Sequence, residues 1–440
     1  MQLYSTKNKN LKVNLEEAVF KGLPPDNGLY LPITIPKLDG NFFKQIHSYS
    51  LNEIAFIVST ALIGDEISKS DLKKIIDKAI NFTAPLVNVH DNIYALELFH
   101  GPSLAFKDFG ARFMASLMEY YLSRRNKANI NILVATSGDT GSAVANGFLD
   151  MENIQVTILY PSNKVSEIQE KQLTTLGRNI TALEVDGTFD DCQKMVKNAF
   201  LDKELCEKLT LSSANSINIS RLIPQSFYYF YAYAQLHNQP IIFSVPCGNL
   251  GNLCGGLIAK KMGLPISKFI ASTNINDVFP KYLQSGVFEP RISLQTIANA
   301  MDVGNPSNIM RLSEFYSNDI NGIRKDILGK SYTDSQIKNI LDKVYEEHGY
   351  ILDPHGAVGY LGLNDYLNCI KESQFDSAFK SDEFAGVFLE TAHPAKFYED
   401  VEDAIGFKIV MPDSLVKAMK KEKQSIKIKA DFNELKAFLL

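Results

Sequence analysis

Lys107 stands where the chain passes from a strand-like run into a helical one, a position at which a lysine amine can become a nucleophile. The run Tyr94 to Phe99 is broken by His100-Gly101-Pro102-Ser103, and an amphipathic pattern then opens near Lys107 and continues to about Arg125. Phe106 and Phe109 flank the lysine and would partly desolvate it. Desolvation lowers the pKa of an amine and frees its lone pair, the condition for Schiff-base chemistry. Lysines are mostly solvated, however, so the company Lys107 keeps decides its role.

Three further segments could hold anions. Thr136-Ser137-Gly138-Asp139-Thr140-Gly141-Ser142 leads into a helical pattern from Ala143 to Leu149. Its glycines permit close approach of a ligand, the helix start offers N–H donors, and Ser137 and Thr140 add hydroxyls. A tight turn with a helix cap explains the same residues. Pro246-Cys247-Gly248-Asn249-Leu250-Gly251-Asn252 follows another strand and is a natural phosphate nest. It lacks the G-K-[ST] of a nucleotide-triphosphate loop and is not G-x-G-x-x-G. In the third segment, Asn215, Ser216 and Asn218 precede Arg221, whose guanidinium can fork onto phosphate oxygens. Alternatively, Asn215 or Asn218 caps the helix that follows and Arg221 is solvated. Asp353-Pro354-His355-Gly356 and Glu390-Thr391-Ala392-His393-Pro394 punctuate further strand ends, where histidines usually serve as caps or core hydrogen-bonders.

These loops need strands and helices to position them. Probable strands are Tyr94–Phe99, Ile130–Ala135, Gln155–Tyr160, Ile180–Val185, Leu209–Ser212, Ile241–Val245, Phe269–Thr273 and Phe384–Leu389. Helical patterns lie between most of them, at Val165–Leu176, Phe189–Phe200, Arg221–His237 and Leu253–Met262. This alternation predicts an α/β fold, two lobes of largely parallel sheet flanked by helices, with a cleft between them. Residues 1–92 read as a mainly helical segment, with Ser70–Ala79 as its amphipathic example. Residues 93–400 read as the region of the two α/β lobes, the smaller spanning about 110–235. Residues 401–440 are a lysine-rich tail, read as a helix and a short β segment packed on that region.

Composition excludes several classes. Of the 440 residues, 45% are apolar and 22% charged, as in an ordinary globular protein, and the formal net charge of -5 gives no footprint for nucleic acid or an anionic membrane. No apolar run approaches the ~18 residues a membrane span needs. The first ten residues are polar and lack a secretory core. Five cysteines without a C-x-x-C pair fit free thiols in a reducing compartment, so a cytoplasmic location is expected. No histidine spacing suggests a metal site, and no G-x-S-x-G elbow suggests a hydrolase.

Taken in order, these segments resemble the threonine synthase family of pyridoxal-phosphate (PLP) enzymes, with the tryptophan synthase β-like, type II fold. The resemblance begins at Glu17 to Pro32 and runs through His100 to Asp108, Thr136 to Gly141, Asn215 to Arg221, Gly248 to Gly251, Asp353 to Gly356 and Glu390 to Pro394. Each loop alone is weak evidence, whereas the ordered set covers most of the chain. Small departures are Asn27 in place of glycine, Ser103 in place of threonine and Leu250 in place of phenylalanine.

The resemblance implies that Lys107 binds PLP as a Schiff base and that Gly248, Asn249, Leu250, Gly251 and Asn252 cradle its phosphate. Thr391 would face the pyridine nitrogen. Ser103, Ser137, Gly138, Asp139 and Thr140 would surround the substrate's carboxylate region. Asn215, Ser216 and Arg221 would grip the phosphate of O-phospho-L-homoserine, which the family converts to L-threonine by β,γ-replacement. Related lyases carry asparagine at position 139, and an ionised carboxylate cannot donate as an amide does, which leaves the role of Asp139 open. A serine/threonine dehydratase, a cysteine-synthase-like enzyme or a non-catalytic PLP-binding protein are the alternatives. With motifs starting near residue 17, no long regulatory extension of the plant type is expected. The implied protein acts on a small molecule as a monomer or homodimer, without nucleic acid, membrane or metal.

Overall fold

Strands joined through intervening helices cannot pair as hairpins, so the alternation seen in the sequence builds parallel sheets. The computed structural model of the chain describes residues 1–124, 129–236, 239–372 and 384–440. One sheet has five parallel strands in the order Ile426–Lys429, Ile180–Asp186, Ile154–Pro161, Ile130–Ala135 and Thr210–Ser213. The other has six, in the order Ile327–Ser331, Ile266–Thr273, Ile241–Pro246, Ala385–Glu390, Ile93–Glu97 and Leu86–His90. Only the last of these pairs antiparallel to its neighbour. Each sheet anchors one lobe, and all eight strands expected from the sequence fall in these two sheets within a few residues of their expected ends.

Several elements differ from expectation. The mainly helical amino-terminal segment also carries an unexpected small antiparallel sheet of Gln2–Ser5, Lys12–Asn14 and Tyr30–Pro32. Strands of three or four residues are too short to display a period of two. Leu86–His90 and Ile327–Ser331 are edge strands, and the latter carries Gly329 because a Cβ there would lie 2.7 Å from Pro280 Cα. The helix expected over Arg221–His237 is divided into Ile219–Leu222, a tighter turn at Ile223–Ser226 and Phe227–Gln235. Pro224 cannot donate a helical hydrogen bond, so the chain tightens there. Arg125 and His237, the expected ends of two helices, lie outside the described residues.

The main core joins the lobes to the amino-terminal segment. Phe109, Phe113, Met114, Leu117 and Met118 on the helix Lys107–Leu122 are buried with Phe227, Tyr228 and Phe230. Ile54, Val58, Leu72 and Ile76 of the first helices belong to the same cluster. Each such side chain contributes roughly 1.5–3 kcal/mol on burial, so the amino-terminal helices are integral to the support beneath Lys107. Arg112 reinforces this junction through Nε to Ala79 O at 2.9 Å and Nη2 to Lys78 O at 2.8 Å. The tail adds the strand Ile426–Lys429 to the smaller sheet and buries Leu435 against its helical face.

Candidate active site

Lys107 is the first residue of its helix, and the loop before it is tied to the segment that follows the strand Ala385–Glu390. Phe106 N donates to Thr391 O at 2.9 Å, His393 N donates to Leu104 O at 3.0 Å, and Ala105 bridges Ala392. Leu104 takes a left-handed φ of 56°, which turns the chain toward the cleft. The Lys107 amine lies 4.1 Å from the Phe106 ring centre. Burial pushes this amine from 10.5 down to about 8; the nearby Arg221 charge adds to the depression and Asp139 opposes it. The neutral amine is therefore accessible near neutral pH.

Two anion cradles flank the lysine. In the first, Gly248 packs so closely that a Cβ would fall 2.9 Å from Ala300 O and 3.0 Å from Met301 Cα. Leu250 has φ 59° and ψ 11°, a left-handed turn that aims the start of the helix Gly251–Lys261 into the cleft without a capping side chain. Uncapped N–H groups at a helix start favour an anion. Asn249 Nδ2 donates to Ser216 Oγ at 2.7 Å, and Asn252 Nδ2 closes the loop onto Pro246 O at 2.8 Å.

The second cradle centres on Arg221, which is 3% exposed. Its Nη1 donates to Ala214 O at 2.6 Å, its Nε has no acceptor, and no carboxylate among the described residues pairs with it. Burial lowers its pKa to about 10, with Asp108 opposing the shift. A buried guanidinium that lines the cavity without a carboxylate partner suits an anionic ligand. Asn215 staples the end of the strand Ile130–Ala135, accepting from Ala135 N at 3.3 Å and donating to Ala135 O at 2.8 Å. The helix cap belongs to Asn218, whose side chain accepts from Ser220 N at 3.1 Å.

Lys107, Ser137, Thr140, Asn215, Ser216, Arg221, Gly248, Asn249, Gly251, Asn252 and Thr391 line one cavity of about 90 Å³. It shares Ala135, Gln193, Asn215 and Asn249 with a neighbouring cavity of about 680 Å³. Ser103, Gly138, Asp139 and Leu250 stand behind this lining. Ser103 is fully buried; its N–H donates to Asp108 Oδ2 at 2.8 Å, and its carbonyl accepts from Lys396 Nζ at 2.9 Å. Asp139 turns its carboxylate away to Lys396 Nζ at 2.6 Å and Gln169 Nε2 at 3.0 Å. Burial alone would raise the Asp139 pKa, but the Lys396 charge outweighs it and holds the group ionised.

His355, expected as a cap or core hydrogen-bonder, is the latter: it lines the cavity, its Nδ1 lies 2.5 Å from Asp353 Oδ1, and its Nε2 accepts from Ala300 N at 3.2 Å. The ring thus steadies the segment over Gly248. Sequence reasoning missed two further supporting residues. Lys396 and Arg311 had no local signal at all. Arg311, fully buried, donates to Tyr30 O, Ser216 O, Ile217 O and Asn308 Oδ1 at 2.6 to 3.0 Å, locking both cradles to the amino-terminal sheet.

Residues 80–375 match the family model described as pyridoxal-phosphate dependent enzyme. Residues 2–80 and 373–439 match the amino- and carboxy-terminal models of threonine synthase. The threonine synthase of Haemophilus influenzae is 44% identical over 446 residues, covering 100% of both chains. The chain belongs to the threonine synthase family. The crystal structure of threonine synthase from Escherichia coli superposes with a TM-score of 0.91 at 40% identity, covering 100% of this chain and 99% of that one. A PLP-bound threonine synthase from Brucella melitensis gives 0.90 at 33% identity, covering 100% and 98%.

The cofactor is pyridoxal phosphate. The residues present fit it: a lysine with a depressed pKa, a glycine-lined and uncapped helix start, and the Thr391 side chain all border one cavity. Among the described residues no helix is long and apolar enough to cross a membrane, and no residue cluster could hold a metal ion.

Proposed function

We propose that Lys107 carries the cofactor covalently and that Gly248 to Asn252 hold its phosphate. Arg221, Asn215 and Ser216 then take the phosphate of O-phospho-L-homoserine, which the enzyme converts with water into L-threonine and phosphate. The observation that carries this reading is the pair of separate anion cradles on either side of one depressed-pKa amine. A dehydratase or a cysteine-synthase-like enzyme handles a substrate without a γ-phosphate and gives Arg221 no ligand.

When bound, pyridoxal phosphate supplies an electron sink that lets C–H bonds beside the substrate amine ionise. The Lys107 amine, neutral above about pH 8, moves the proton at substrate Cα. Ser137, Thr140 and the start of the helix Asp139–Phe148 orient the substrate carboxylate. Arg221 neutralises the phosphate leaving from Cγ, and its burial strengthens that interaction relative to water. A second proton leaves Cβ as the C–O bond at Cγ breaks, and Cγ then takes up a proton. Water adds its hydroxyl at Cβ while its other proton goes to the medium, and the proton at Cα is returned. Thr391 offers the pyridine nitrogen a neutral hydroxyl, so no charge partner fixes a proton there.

The enzyme acts on this small molecule as a monomer or a homodimer. The described cysteines are all free, consistent with a cytoplasmic enzyme. The test is phosphate release from O-phospho-L-homoserine with threonine detected alongside. Lys107→Ala should abolish both products and the borohydride-trapped adduct. Arg221→Ala should raise KM and lower kcat/KM by about 10²-fold or more, as expected for loss of a buried charged contact. Intact kinetics in Arg221→Ala would favour the enzymes without a γ-phosphate.

A further inference from the structure

Asp139 raises a physical question. An amide there would satisfy Gln169 equally well, yet the chain buries a charged pair, and burying two ions costs several kcal/mol before their attraction is counted. Lys396 Nζ is completely inaccessible, and its two partners are Asp139 Oδ1 at 2.6 Å and Ser103 O at 2.9 Å. These partners come from different lobes. Asp139 begins the helix after the strand Ile130–Ala135 of the five-stranded sheet. Lys396 follows the strand Ala385–Glu390 of the six-stranded sheet, and Ser103 belongs to the loop that ends at Lys107.

The network continues across the same boundary. Gln169 Nε2 donates to Asp139 Oδ1 at 3.0 Å while its Oε1 accepts from Asn299 Nδ2 at 3.1 Å. Asn299 precedes Ala300 and Met301, the residues that press on Gly248. Ser166 Oγ adds a bond to Lys396 O at 3.3 Å. A Cβ on Gly138 would lie 2.5 Å from the Gln169 amide, so the loop has no slack against this network.

We propose that the Asp139–Lys396 pair is a latch between the lobes and that Lys396 is a positioning residue for the reaction. Resting on the function proposed above, the latch sets the distance from the carboxylate-binding helix start at Ser137 to Thr140 to the Lys107 amine. It acts through backbone placement, because neither charged group lines the cavity. An interaction of opposite buried charges fixes that distance more sharply than a single neutral hydrogen bond would, since its energy falls steeply as water enters the gap.

The test compares holoenzyme variants in the phosphate-release assay, after the unmodified enzyme is shown to make threonine. Lys396→Met leaves Asp139 buried without a counter-charge and should both destabilise the fold and depress activity. The double variant Asp139→Asn/Lys396→Met removes both charges, so its thermal stability should return to within a few degrees of the parent. Its kcat/KM should stay down on the order of 10²-fold, the cost of ~1 Å misplacement. The loss should fall mainly on kcat, because Arg221 still grips the substrate phosphate while the distance to the Lys107 amine has changed. Asp139→Glu keeps both charges and lengthens the latch by one methylene, so it should fold yet show reduced kcat. A folded double variant with parental kcat and KM overturns the latch, as does parental kcat in Asp139→Glu. Failure of the unmodified enzyme to form threonine overturns the proposed function instead and takes the latch with it.

Discussion

Gly110→Ala asks whether the contact between two helices places the active-site charges. Gly110 lies one turn into the helix Lys107–Leu122 and faces the helix Ile219–Leu222. An added Cβ would fall 2.7 Å from Arg221 Nε, 2.8 Å from Arg221 O and 3.4 Å from Arg221 Cα. Carbon contacts are comfortable near 3.5 Å, so the helices must part by roughly 0.5–1 Å. The partner atoms include backbone, which a rotamer change cannot relieve. Overpacking of this kind costs about 1–3 kcal/mol, while replacing glycine by alanine inside a helix returns up to about 1 kcal/mol. The net destabilisation should therefore be modest, at about 1–2 kcal/mol by urea unfolding.

Activity should suffer far more. Lys107 starts one helix and Arg221 lies on the other, so parting them moves the proposed nucleophile away from the proposed phosphate clamp. A shift of this size should reduce kcat/KM on the order of 10²-fold. The assay is steady-state phosphate release measured beside the urea midpoint on one preparation. A variant that keeps kcat/KM within about twofold refutes the claim that this contact positions the site. Loss of activity in strict proportion to loss of folded protein refutes it equally.

Two further outcomes follow. The Lys107 amine is depressed from 10.5 to about 8, so between these values the unfolded chain binds a proton that the native apoprotein does not. This group's contribution to apoprotein stability should thus rise with pH from about 8 to 10.5, and the rate of covalent PLP capture should titrate near 8; a capture midpoint at the ordinary lysine value refutes the depression. Arg311→Ala strands four acceptors, on Tyr30, Ser216, Ile217 and Asn308, and empties a fully buried site. It should cost about 3–5 kcal/mol in urea unfolding, and a loss below about 1 kcal/mol would show that both cradles stand without it.

The sequence alone determined the strand–helix alternation, the loops at strand ends and the place of Lys107 at the opening of a helix, because these depend on local periodicity and on glycine-rich breaks. Lys107 was legible for that reason: its break, its aromatic flanks and the ordered loops around it all lie in contiguous stretches. The short strands at Gln2–Ser5 and Lys12–Asn14 were not, since their pairing supplies the order that three or four residues cannot express alone. Tertiary structure decided what each polar side chain faces. It turned Asp139 from the cavity to Lys396, assigned the helix cap to Asn218 rather than Asn215, and brought Arg311 against carbonyls of residues 30, 216 and 217. Such partners are distant in sequence, and the free energy that selects them comes from burial, which no local pattern encodes.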